Sequence, residues 1–152
     1  MTTPLRSNHP KLISALERLE SADLVSACGA PAPRELLQAI HEFNAGEFFE
    51  AHEGFEELLD EVEGDDRWNL LVALIQVAVG YHKLTSDHPG AARMLRLGAE
   101  KLAAFPAVAW GVAVERLRSR IAEDLAAVEG GAASRTPPKI ELVKGGPAAG
   151  VD

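Results

Sequence analysis

His52, Glu53 and Glu56 stand together in Ala51-His52-Glu53-Gly54-Phe55-Glu56, an H-E-x-x-E pattern inside the acidic stretch FNAGEFFEAHEGFEELLDEV. An imidazole and a carboxylate four residues apart share one edge of a helix, so His52 and Glu56 can address the same ligand. The zinc-protease signature puts a second His at the position of Glu56, because two imidazoles on one helical face fill two corners of a tetrahedron. With Glu there, a third ligand must come from elsewhere in the chain. His82 is the candidate, since it lies on a long apolar helix suited to pack against the acidic one. A site of His52, Glu56 and His82 would have the two-His-one-Glu composition of many catalytic zinc centres, with Glu53 as general base. The plainer role is structural: His52 and Glu56 form a charged hydrogen bond across one turn, which satisfies a half-buried imidazole.

Gln76 is the second chemical candidate. An amide within the apolar run LLVALIQVAVGY must find partners or cost roughly 1 to 3 kcal/mol. A backbone carbonyl or a buried water would suffice. The alternative is the His52/Glu56 edge, which would make Gln76 a substrate-binding group in a polar cleft between two helices. Tyr81 suits the core with its hydroxyl at the rim, and Trp68 suits an apolar lid on a helix start. His9, His41 and His88 have no motif around them.

Helices must position these groups. From Glu47 onward, about 100° per residue gathers Phe48, Ala51, Phe55, Leu58, Leu59 and Val62 on one apolar face, predicting a helix that runs to Val62. Glu50, Glu57 and Glu61 fall opposite. Before it, Leu12, Ile13, Leu16 and Leu19 predict a short first helix after Pro10, and Leu36, Leu37, Ile40 and Phe43 a second from about Pro33. Asn44-Ala45-Gly46 supplies its stop. Gly64-Asp65-Asp66 breaks the acidic helix, with an Asp placed to cap RWNLLVALIQVAVGYHKLT, which is apolar nearly all round and so belongs at the centre. Pro89 opens a helix bearing Ala92, Leu95, Ala99 and Leu102, and Pro106 ends it. Trp110, Val114, Leu117, Ile121, Leu125 and Val128 mark a last long helix, closed by Gly130-Gly131. In the tail, PPKIELV suits an extended docked strip, while GGPAAGVD has the composition of a loose end.

The 152 residues amount to about one domain's worth of chain. The expected architecture is all-α: a single compact bundle of about five or six helices. Residues 1–30 would form the N-terminal helix and connection, 31–129 the bundle, and 130–152 the tail. No apolar run is long enough to span a bilayer, and the N-terminus lacks the features of a secretory signal, so a cytoplasmic address is expected. Cys28, the single cysteine, offers no disulfide and no multi-cysteine zinc site. Ten of the 23 acids fall between Glu47 and Asp66, with no Lys or Arg among them. A surface of that sign repels phosphate backbones, which argues against nucleic acid as a partner.

FNAGEFFEAHEGFEELL, followed after a short acidic turn by LIQVAVGYHKL and then GAARML, resembles the bacterial and archaeal family numbered 309 among the domains of unknown function. The resemblance covers roughly Glu35 to Leu125 and is most specific at Ala51 to Glu56. It implies a compact helical bundle, described as metal-binding or hydrolytic without a settled activity, and its polar positions fall on His52, Glu53, Glu56 and Gln76. Departures are present: Leu59 stands where relatives tend to place an aromatic, Ser86-Asp87 replaces a Gly-Asn, and Ala73 replaces a Gly.

Two classes of function remain. One is a small bundle enzyme, hydrolytic and assisted by a divalent metal such as zinc, or a binding protein for a metal or small molecule, centred on His52, Glu53 and Glu56. The other is a non-catalytic interaction or scaffold module, a homodimer or an adaptor, in which the same residues fix helix packing and the long seam of the last helix meets a partner.

Overall fold

The computed structural model describes residues 27–131 and 136–143. The first helix expected after Pro10 lies outside them. Among the described residues are five α-helices, one 3₁₀ turn and one two-stranded hairpin, the mostly helical bundle that the patterning predicts.

Helix α1, Arg34–Asn44, buries Leu36, Ala39, Ile40 and Phe43. Gly46, at φ +85°, turns the chain into α2, Phe48–Glu57. The acidic helix is shorter than its apolar pattern predicts. It gives way at Leu58 to a 3₁₀ turn, Leu59–Val62. A continuous α-helix to Val62 would set Glu57, Asp60 and Glu61 at the negative end of its dipole, with no basic residue to offset them. The tighter turn still buries Leu58, Leu59 and Val62.

Helix α3, Asp66–Thr85, is the central element. Asp65 caps it, its carboxylate accepting from Arg67 N at 2.8 Å and from the Arg67 side chain at 3.1 and 2.8 Å. Burial acts upward on the Asp65 carboxyl, but these bonds outweigh it and hold the group below its ordinary value. On one side α3 meets α2 and the end of α1: Tyr81 packs on Phe48 of α2, ring centroids 5.7 Å apart, and on Phe43 of α1 at 6.0 Å. On another it meets α4, Ala91–Leu102, through two glycines. A Cβ on Gly98 would stand 2.6 Å from Val77 Cγ2, and one on Gly80 would stand 2.7 Å from Leu95. Helix α4 begins two residues after Pro89, and the Gly90 N–H donates to His88 Nδ1 at 2.9 Å just ahead of it.

The last helix differs most from expectation. Trp110 is not part of it. The hairpin β1, Val108–Ala109, and β2, Val112–Ala113, pairs with Ala109 opposite Val112, so Trp110-Gly111 is a two-residue loop. Both loop residues have positive φ, 54° and 78°, as a type I′ turn demands. Trp110 tolerates this because its ring is buried and tied down: Nε1–H donates to the Pro31 carbonyl at 3.1 Å, and the Arg67 guanidinium lies 5.4 Å from the ring centroid. Helix α5, Val114–Glu129, follows the hairpin directly and packs on α4.

Residues 136–143 run back along the hairpin as an extended strip. Leu142 bridges Val112, and Ala113 N–H donates to the Glu141 carbonyl at 2.9 Å. Ile140 is buried, clasped by the Asn44 amide, which accepts from Ile140 N at 2.7 Å and donates to its carbonyl at 3.0 Å. Asn44 thus does more than end α1: it pins the returning chain.

Candidate functional site

Phe48 and Phe49 at the start of α2 lie against Tyr81 and His82 near the end of α3, so the two helices run antiparallel. Along that seam sits His52, only 2 % exposed. Its Nδ1 lies 2.5 Å from the Phe49 carbonyl oxygen. A carbonyl can only accept, so Nδ1 carries the proton and donates. In the neutral ring Nε2 is then the lone-pair nitrogen, and it is buried with no hydrogen-bond partner among the described residues. This is the arrangement by which a backbone carbonyl orients a ligating imidazole.

Glu56, half-buried, follows one turn later on the same edge. The Phe49 ring, 39 % exposed, lies close to both histidines of the seam, its centroid 4.8 Å from that of His52 and 5.7 Å from that of His82. His82 is exposed at the rim. The structure therefore brings His52, Glu56 and His82 to one seam. It does not gather them into a ligand set: among the described residues no three His, Cys, Asp or Glu side chains converge as a metal centre would require.

Glu53 and Gln76 lie elsewhere. Glu53 is about 100° round the helix from His52 and lines the groove between α2 and α1, alongside Glu42, Glu50 and Glu57. Gly54 brings the two helices together there, since a Cβ on it would stand 2.9 Å from Ala39 Cβ. No bond between Glu53 and His52 is formed, so a general base beside the imidazole is not in place. Gln76 is about 140° round α3 from Tyr81 and about 40° from Gly80, which puts it at the edge of the α4 face and away from α2. Its Oε1 is buried and lacks a hydrogen-bond partner among the described residues. The His52–Gln76 cleft expected from the motif spacing would need Gln76 on the α2 face of α3, and the helical angles set it toward α4 instead.

Burial pushes the Cys28 thiol up to about 12, and the neighbouring Asp66 carboxylate adds to the effect, both of which disfavour the reactive thiolate.

Sequence reasoning passed over a second polar group. At the far end of α3, Tyr81 Oη donates to Asp124 Oδ2 at 2.6 Å, and Arg120 Nε donates to both Asp124 oxygens at 3.1 and 3.0 Å. Asp124, 4 % exposed, is one of two buried polar residues among those described, the other being His52. A signal was available: Asp124 stands three residues after Ile121 and four before Val128, inside the apolar stripe of the last helix, with Arg120 one turn before it.

No curated protein matches the chain. Residues 36–95, from α1 into α4, match the profile of the family described as Domain of unknown function (DUF309), with the His52 seam inside the matched stretch and the Arg120–Asp124 pair beyond it.

Proposed function

We propose that this domain binds a small ligand that is cationic or rich in hydrogen-bond donors at the His52 edge of the α2–α3 seam, with Glu56 as the companion carboxylate. One observation carries the reading: a buried imidazole nitrogen, fixed as an acceptor by the bond its ring partner makes to Phe49, has nothing to accept from among the described residues. Leaving such an atom unsatisfied costs about 1 to 3 kcal/mol, which a ligand donor or a metal ion would recover. An imidazole lone pair asks for a hydrogen-bond donor or a metal ion. The hydrolytic version of this function would need Glu53 beside the imidazole, and that carboxylate faces the α1 groove instead. A divalent ion remains one form the ligand could take, held by His52 and Glu56 with water or substrate in its other positions.

The test is elemental analysis of protein purified without a polyhistidine tag, followed by titration with zinc and with methylammonium while the His52 ring resonances are monitored. Saturable shifts at His52 that vanish in Glu56→Gln support the proposal. Shifts confined to His82, or none, overturn it.

A second reading rests on Phe49, a large exposed ring on the same edge. Its burial by a second copy would make the seam a homodimer interface. Sedimentation of wild type against Phe49→Ser distinguishes the two, since only the interface reading expects a dimer that the substitution dissolves.

A further inference from the structure

Between the last turn of α3, the second half of α5 and the returning strip lies a half-open cavity of about 290 Å³. That is room for about ten waters' share of liquid volume, or for one small organic molecule. Its walls are largely apolar, with Phe48, Leu84, Ala127, Val128 and Pro137 among them.

The polar groups divide into two kinds. The floor is the Tyr81–Asp124–Arg120 group, in which the aspartate already accepts from a hydroxyl and a guanidinium. Arg120 is further tied to the Thr136 carbonyl. An ion pair of this kind offsets its own charge and asks for none from a ligand. Asp87, which also lines the cavity, is different: it is exposed, and its carboxylate has no hydrogen bond or ion pair among the described residues. Two aromatic residues, Phe48 and Tyr81, stand in the same wall and add apolar surface for a ligand's body. The protein's net charge of −8 acts in the same direction.

We propose that this cavity is a second binding site, for a small amphiphilic amine. Its apolar body lies between α3 and α5, and its ammonium group rests at the mouth against Asp87. The site is separate from the His52 seam and stands whether or not that seam binds a ligand.

Phenethylamine and hydrocinnamate carry the same ring with opposite charge, and the full-length, isotope-labelled protein can be titrated with each while backbone amides are followed. The amine should give saturable shifts centred on Leu84, Asp87, Ala127 and Val128, and the acid should give none. Asp87→Asn should weaken the amine about fivefold, the worth of one exposed ion pair. Asn tolerates the positive φ of 55° at this position, so the fold is retained. Ala127→Leu, which fills the cavity, should lose binding altogether. Equal binding of the acid, undiminished binding by both variants, or no saturable shift with either probe would overturn the proposal.

Discussion

Helix α3 presents two unlike faces. Toward α4 it offers Ala73, Val77 and Gly80, and the partner answers with Gly98 and Leu95, so the backbones approach closely and no room is left. Toward α2 it offers Tyr81 and His82, met by Phe48 and Phe49, with His52 between helices and an unsatisfied nitrogen inside the seam. One face is spent on packing. The other holds the His52 Nε2, which has no hydrogen-bond partner among the described residues, and this is why the candidate chemistry lies there.

The largest expected effect tests the packed face. Gly98→Leu would drive a side chain into Val77 and the Ala73 carbonyl, which lies 3.2 Å from the added Cβ. A loss of about 3 kcal/mol or more in urea unfolding is expected. A loss under about 1 kcal/mol would mean that the two helices are free to separate, and the contrast between faces would fail.

Tyr81→Phe acts at the end of the α2 face, removing a hydroxyl bonded to a buried carboxylate. A loss of about 2 kcal/mol is expected from the same measurement. It should also blunt the response to Ala127→Leu if the two share the cavity wall.

Asp65→Ala removes the cap on which both faces of α3 begin, at a cost of about 1 kcal/mol near neutral pH. The wild-type carboxyl is held below its ordinary 3.8, so its contribution is complete above that value and is lost as the pH falls through the lower folded-state one. The difference between wild type and variant should therefore shrink on the acid side of about pH 4.

His52→Phe is expected to have the smallest effect on stability, within about 1 kcal/mol. It exchanges a buried unsatisfied nitrogen for apolar surface of similar shape, while the Phe49 carbonyl keeps its helical partner. A much larger loss would mark His52 as part of the packing and remove the distinction between the faces.

Much of the fold was legible in the chain. Repeats of three and four residues in α1 and α4 reflect which side is buried, and a pattern of that period needs no tertiary information to be read. The nearly all-round apolar run of α3 marked it as central, and a cap from the Asp65-Asp66 pair was visible for the same local reason. The early end of α2 was not, because its apolar stripe continues through Val62 while the charge at its end works against the helix. Nor was the hairpin at Trp110-Gly111: its left-handed tryptophan is held by Pro31 and Arg67, residues far away in sequence.

At the candidate site, the sequence by itself determined that His52 and Glu56 share an edge and that Glu53 does not, since helical spacing sets those angles locally. Only the tertiary structure decided what that edge faces. It laid the Phe49 ring close to both His52 and His82, and folded Arg120 and Asp124 in against Tyr81. The reason is physical: an angle round one helix follows from its own residues, whereas the rotation of one helix against another follows from the side chains of both and from how closely their backbones can approach.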